Sequence, residues 1–462
     1  MIIKYFYDKK LAQASYLVGC GTSAMVIDPA RDITPYVQVA QAEGLDIKFV
    51  VETHIHADFV SGIRELAFAT GADIYLSDMG TDDWKYQFPD KNIKLLKDGD
   101  NFMVGNVLVD VIHTPGHTPE HIVLMITDTA VTDQPIGFFS GDFLFAGAAG
   151  RPDLLETAAS IADTAVIGAR QQFQNIQRFK DMPDYLHIWP GHGAGSVCGK
   201  SLGTLPSTTL GYEKIVNPAF QFESEDAFVD WILSDQPETP RYFSQMKKVN
   251  KEGPELLLKI GQAQHILQHP DGIVPKDALF IDTRSPELFA SKHLPGTVNI
   301  PITATGFATY VGWYVNYEKP VFFIAYQADV QQVLYTLYSI GVDHVAGYFT
   351  PDVLKHESDT IPQISPKDAY AKGYHILDVR GASEWKKDHI PNAQHIPMGY
   401  ILEQKNTIPD NKPVVVQCGG GIRSQVVISL LNNIGFQNLI NLSGGISAWK
   451  REDLPIVSDE ED

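Results

Sequence analysis

Six residues of metal-ligand type stand in four short segments of the N-terminal half. They are His54, His56 and Asp58 in THIHADF, His117 in TPGHTPEH, Asp142 in FFSGDFL and His192 in WPGHGAG. Each follows a hydrophobic run that reads as a strand, so one edge of a sheet structure could gather them. One histidine beside an apolar run is usually structural, but the whole ordered set points to a metal site. Two imidazoles and one carboxylate on one face of an ion leave three neighbouring positions open. Non-haem Fe(II) oxygenases use that arrangement to hold a substrate atom and O2 together. Spacing alone does not select among His54, His56, His117 and Asp142.

A second chemistry-bearing stretch is VVVQCGGGIRSQVV, residues 414–427. A β-run ends at Cys418, three glycines follow, and a helix is expected to start near Arg423 and Ser424. Such a turn aims backbone N–H groups and a helix N-terminus at the sulfur. That field favours a thiolate and an anionic persulfide, while Arg423 offers a cation for sulfite or thiosulfate. Of the other cysteines, Cys20 sits in an apolar strand pattern and reads as core. Cys198 follows the PGHG segment, which places it near the metal edge, either to relay or sense sulfur or merely to pack, and Lys200 adds charge to the same glycine-rich loop, which could bind an anion.

The elements that must position these groups fall into an alternating β/α region to about residue 245, a polar linker QMKKVNKEGPE, and an internal repeat. LFIDTRSPELFASKHLPGTVNIP (279–301) matches HILDVRGASEWKKDHIPNAQHIP (375–397), pairing Asp282 with Asp378, Arg284 with Arg380 and His293 with His389. KPVFFIAYQADVQQVLYTLYSIG (319–341) matches KPVVVQCGGGIRSQVVISLLNNIG (412–435), so Ala325 stands opposite Cys418. Each copy reads as a small doubly wound α/β domain. The expected domains are 1–245, 256–350 and 362–456, with the boundary in PDVLKHESDTIPQISP and an acidic tail VSDEED.

The histidine and aspartate segments of the first region resemble the metallo-β-lactamase superfamily, which implies an αββα sandwich with metals at one edge. Its two-metal hydrolases carry an Asp-His pair after the first two histidines. Here Asp58 is kept and its neighbour is Phe59, a ring with no lone pair, which disfavours two-metal hydrolysis. In the similar persulfide dioxygenase branch, iron is held by positions that correspond to His54, His117 and Asp142. His56, Asp58 and His192 would then orient ligands and bound water. AGRPDL resembles an Arg-x-Asp loop of that branch, and Arg151 is expected either to face an anionic thiol substrate or to hold its loop. His113 and His121 match no ligand position and read either as structural or as neighbours that orient the ligands, and the acids of DPARD read as structural.

The cysteine segment is similar to the rhodanese active loop, Cys-x-x-Gly-x-Arg-Ser, and LSGGISAWK to that family's closing segment. Across its length the chain resembles persulfide dioxygenase–rhodanese fusions. The resemblance implies one Fe(II) per chain and oxidation of low-molecular-weight thiol persulfides by O2 to sulfite. Cys418 would give or use thiosulfate in sulfide detoxification, and the copy with Ala325 would be structural or serve in docking. A glyoxalase-II-like thioester hydrolase and a sulfur-carrier or redox-sensing module are the alternatives.

Bulk properties narrow the partners. A net charge of −20 over 462 residues argues against nucleic acid or an anionic membrane. No apolar run of about 18 residues occurs, so no membrane span is expected. The N-terminal segment lacks a signal-peptide pattern, and three cysteines make no disulfide framework. The expected compartment is the cytoplasm. A homo-oligomer is compatible with the sequence.

Overall fold

Two six-stranded sheets bring the histidine-bearing loops to one edge of the first unit. The computed structural model describes residues 1–90, 92–154, 164–200, 202–355 and 359–459. The chain divides into Met1–Ile260 with Tyr338–Gly341, and Gly261–Leu337 with Val342–Asp462. In the first unit, one sheet runs in chain order through Ile2–Asp8, Gln13–Cys20, Ser23–Ile27, Asp46–Val51, Asp73–Ser77 and Ile93–Leu96. The other is ordered Thr208–Thr209, His187–Pro190, Gly137–Gly141, Ile122–Asp128, Val107–His113, Asn101–Val104.

Alternation along these strands sends one set of apolar side chains inward. Tyr16, Val18, Met25, Ile27 and Val51 meet Val109, Val111, Leu124, Ile126 and Phe139 in a common core, each worth about 1.5–3 kcal/mol on burial. The outer faces are covered by helices. Tyr36, Ala40, Ile63 and Leu66 cover the first sheet, and Phe173, Ile176, Phe179, Phe228 and Ile232 cover the second. The result is the expected αββα sandwich. The ligand-bearing segments follow the strands ending at Val51, His113, Gly141 and Pro190.

The segment read as a polar linker is different. Residues Tyr242–Glu252 form a helix of the first unit, burying Tyr242, Phe243, Met246 and Asn250. Those positions recur every three to four residues, which is a helical stripe. Its scarcity of apolar side chains hid that stripe, and the first unit extends past residue 245 to Ile260.

The second unit holds the two repeats. Their five-stranded parallel sheets have the same order: Gln264–His265, Val345–Phe349, Val321–Ile324, Leu279–Asp282, Val298–Asn299 in one, and Gln363–Ile364, Leu439–Leu442, Val414–Gln417, His375–Asp378, Gln394–His395 in the other. The residues paired by sequence do the same job in each copy. Arg284 grips Asp282 and donates to the Lys292 carbonyl at 2.8 Å, as Arg380 grips Asp378 and donates to the Asp388 carbonyl at 2.6 Å. The expected boundary at 351–366 and the acidic tail fall partly outside the described residues. No helix among the described residues is long and apolar enough to cross a membrane.

Candidate metal centre and sulfur-carrying loop

Asp142 sits where the Gly137–Gly141 strand ends in a glycine at φ +48°. A Cβ on Gly141 would stand 2.5 Å from Thr53 Oγ1 and 2.7 Å from His121 Nε2, so only glycine lets the strand turn the carboxylate into the cluster. His54, His117 and Asp142 each present a ligand atom within 4.8 Å of the others, all three buried. His117 Nε2 lies 3.4 Å and His54 Nε2 3.9 Å from Asp142 Oδ2.

The far side of each imidazole is committed. Thr53 Oγ1 donates to Asp28 at 2.9 Å, which leaves its oxygen to accept from His54 Nδ1, also at 2.9 Å. His117 Nδ1 donates to the Arg151 carbonyl at 2.9 Å. With the proton on Nδ1, each Nε2 lone pair faces Asp142. Burial pushes the His54 pKa well below the usual range, aided by the neighbouring histidines, and burial lowers that of His117 as well. Both therefore stay neutral, as metal ligands must. The two carboxylate oxygens of Asp142 are buried without a hydrogen-bond partner. Orphaned oxygens facing two imidazole lone pairs fit a cation, and these residues can hold one.

His56 differs. Its Nε2 is 3.2 Å from Asp28 Oδ1. Burial disfavours its charge, but Asp28, Glu52 and Asp58 outweigh that and raise its pKa to about 9. The structure thus places His56 as a charged neighbour of the cluster, with the Phe59 ring against it, centroids 4.4 Å apart and planes tilted by 37°. A second trio adjoins the first. Asp58, His192 and Cys198 also have ligand atoms within 4.8 Å of one another. His192 Nδ1 donates to the Ala12 carbonyl at 3.0 Å, and its Nε2 lies 3.3 Å from Asp58 and 3.5 Å from Asp142. Burial, with Asp58 and Asp142 nearby, pushes the Cys198 thiol well up, so it rests protonated.

Two expected substrate contacts are engaged elsewhere. Arg151 is buried and forked onto Asp153, and it donates to the carbonyls of Val197 and Pro237 at 3.1 and 2.7 Å. Its donors tie loops together, which leaves the substrate-facing alternative without a free fork. Lys200 donates to the Trp231 carbonyl and Ser234 Oγ at the end of the Glu225–Leu233 helix.

Two contributors, Asp28 and Asn250, escaped the sequence, and a third, His121, takes the orienting one of its two expected roles. Asp28, read as a turn acid, orients Thr53 and faces His56. His121 accepts the Asp142 backbone N–H at 3.1 Å. Asn250, from the supposed linker, donates to the carbonyls of His56 and Phe59 at 2.8 and 2.7 Å and accepts from Ser61 N–H at 2.9 Å. Only Asp28 and His121 lie near a recognisable motif.

In the second unit, Cys418 follows the Val414–Gln417 strand and is 1% exposed. Its sulfur accepts the Gly421 N–H at 3.1 Å and lies 3.5 Å from Ser424 Oγ. Gly421, at φ +106°, caps the helix Ile422–Asn433. Arg423 is held by Glu384, with Nη2–Oε1 at 2.7 Å. Burial works against its charge and Glu384 more than restores it. The cation expected to serve an oxyanion is therefore already matched by a carboxylate.

The Metallo-beta-lactamase superfamily profile matches residues 9–187 and the Rhodanese-like domain profile residues 366–452. A solved metallo-beta-lactamase from Staphylococcus aureus subsp. aureus COL is 43% identical, covering 76% of this chain and 99% of its own, with a TM-score of 0.70. A hydroxyacylglutathione hydrolase from a Synechococcus species is 30% identical over 213 residues, 43% of this chain and 80% of its own. The chain belongs to the metallo-β-lactamase superfamily. Its metallo-β-lactamase domain is followed by a rhodanese-like domain. Over 85 residues, 18% of this chain, the latter is 38% identical to a sulfurtransferase of Allochromatium vinosum, covering 79% of that protein.

Proposed function

We propose that the metallo-β-lactamase domain is a mononuclear Fe(II) persulfide dioxygenase and that Cys418 transfers sulfane sulfur to or from its product. The observation that carries this reading is the trio His54, His117 and Asp142. It offers two neutral imidazoles and one carboxylate, with the far nitrogens tied to Thr53 and the Arg151 carbonyl. Phe59 supports it by putting an apolar ring where two-metal hydrolases of the family carry a ligand. A ferrous ion bound by this trio supplies the electron chemistry that lets O2 react with a closed-shell persulfide.

The protein's residues hold and shield the reactants. The buried rings of Phe59, against His56, and Phe145, edge-on to His192 at 6.1 Å, keep bulk water from the cluster. The net reaction is RSS⁻ + O2 + H2O → RSH + SO3²⁻ + H⁺. At the other domain the Cys418 thiolate attacks the outer sulfur of a second persulfide, the S–S bond breaks, and thiol RSH leaves with the proton. Sulfite then takes that sulfur as thiosulfate and the electron pair returns to Cys418. The Gly421 N–H, 3.1 Å from the Cys418 sulfur, stabilises the thiolate that attacks and is released.

Anaerobic purification, metal analysis and O2 consumption with glutathione persulfide test the reading. About one iron per chain is expected, and His117→Ala should remove both the iron and the O2 uptake. Similarity to a hydroxyacylglutathione hydrolase supports a second reading, a zinc thioester hydrolase. Two tightly held zinc ions with thioester turnover and no O2 uptake would decide for it.

A further inference from the structure

The cysteine-free copy and the catalytic copy are pinned together beside the transferase loop. Gln425, just after the loop, donates to the Pro286 carbonyl at 2.6 Å and to Asn299 Oδ1 at 2.9 Å. Ser429 Oγ accepts the Asn299 N–H at 3.1 Å, and Asn433 donates to the Gly296 carbonyl at 3.1 Å. Next to these contacts a cleft of about 840 Å³ has Glu287, Ser291 and Thr303 of one copy on one side and Gly420, Gly421 and Asn441 of the other copy facing them.

Two of the lining residues connect the cleft to the Cys418 sulfur. Gly421 donates its N–H to Sγ at 3.1 Å. Asn441 Oδ1 accepts the Ser424 hydroxyl at 2.6 Å, and Ser424 Oγ lies 3.5 Å from Sγ. Asn441 is fixed in turn by donating to Gln363 Oε1, on the same wall, at 2.9 Å. A Cβ on Gly420 would meet nothing within 4 Å, so the loop turns open backbone toward this space.

Size and charge say what the cleft suits. Sites that enclose drug-sized organic molecules measure roughly 300–1,000 Å³, so a free oxyanion such as thiosulfate would leave most of this one empty. The lining is made of hydroxyls, amides, backbone and apolar side chains, and Glu287 is its one charged residue among the described residues. Glu287 is exposed and has no ion-pair partner among those residues. A polar cleft with an unmatched carboxylate and no cation complements the body of an amino-acid-derived thiol. Its amides can pair with the hydroxyls, and its ammonium with Glu287.

We propose that this cleft seats the organic body of the sulfur donor, an ammonium-bearing thiol persulfide, and that Glu287 of the cysteine-free copy binds its ammonium. This rests on Cys418 being the transferase cysteine. The Cys418 thiolate bonds to the outer sulfur of the donor RSSH, the R–S–S bond breaks, and RS⁻ leaves with the electron pair. It takes the proton that the outer sulfur carried, so RSH departs and Cys418 keeps the persulfide anion. Glu287 meets the far end of the donor, so it acts on binding and not on the breaking bond.

The test compares two donors in the full chain, glutathione persulfide and thiosulfate, with cyanide as acceptor. Oxygen is excluded so that the other domain does not drain the persulfide, and a no-enzyme control removes spontaneous transfer to cyanide. Glu287→Gln should raise KM for glutathione persulfide roughly fivefold, the worth of one exposed ion pair, while KM for thiosulfate does not rise. N-acetylglutathione persulfide, which has no ammonium, should show the same roughly fivefold penalty with wild type and no further loss with Glu287→Gln, as a coupled pair requires. Ser291→Trp, at an exposed position, fills the cleft and should raise KM for glutathione persulfide about tenfold by steric clash, again without raising that for thiosulfate. An unchanged KM for glutathione persulfide in either variant overturns the proposal. So does an equal loss with both donors, which would mean that the cysteine-free copy only supports the loop. Transfer that survives Cys418→Ser would instead remove the reading on which the proposal rests.

Discussion

At the scale of single residues, the proposed one-metal character of the cluster is tested at Phe59. The ring is 1% exposed and packs against His56 at a tilt, so it fills volume at the edge of the trio and offers no ligand. Beside it Asp58 and His192 already face one another at 3.3 Å. Phe59→His should therefore raise zinc stoichiometry from one toward two per chain, because imidazole and carboxylate suit zinc. O2 uptake should fall as a second cation competes for the persulfide. Metal titration beside wild type checks this; one metal with normal oxidation would leave Phe59 without a role in metal number.

At the scale of elements, the helix Tyr242–Glu252 acts on the cluster through one side chain. Asn250 satisfies two carbonyls and one N–H of the loop carrying His56 and Phe59. Asn250→Ala leaves those buried groups unpaired and should cost about 3 kcal/mol, read by denaturant unfolding, with weaker iron retention. The sandwich, the repeat and the ligand segments were legible in the sequence because strand alternation and motif spacing are local. Asn250 was not, since its partners lie 189–194 residues away. The strand ends of the repeats make a parallel point. After Val414–Gln417 the chain places the Gly421 N–H on the sulfur, whereas Ala325 after Val321–Ile324 is followed by Tyr326-Gln327. Ala325→Cys in a Cys418→Ser background should accordingly yield no sulfurtransferase turnover. Substantial turnover would show that the glycine cradle is dispensable.

At the scale of the whole molecule, the proposed chemistries are joined by sulfite, which one produces and the other consumes. Each site is built from its own strands and loops. The metal trio stands on the sandwich, and the Cys418 cradle is made by Gly421 and Ser424. Neither therefore needs the other's residues to turn over, and removing one should redirect sulfur without halting the first reaction. Cys418→Ser replaces the sulfur at a position whose neighbours are one N–H and one hydroxyl, so the fold is expected to stand. With glutathione persulfide and O2, the variant should consume oxygen at the wild-type rate. Its product should shift from thiosulfate to sulfite, with one sulfur released for each O2 consumed. Product analysis by thiol-selective derivatisation and chromatography, with a no-enzyme control for spontaneous sulfite–persulfide coupling, separates the outcomes. Unchanged thiosulfate output would mean that sulfur is passed at another site, and Cys198, buried beside Asp58 and His192 at the metal edge, would be the thiol to examine next. A fall in O2 uptake without a change in product ratio would instead mean that the two domains are coupled through their folding rather than through their shared intermediate.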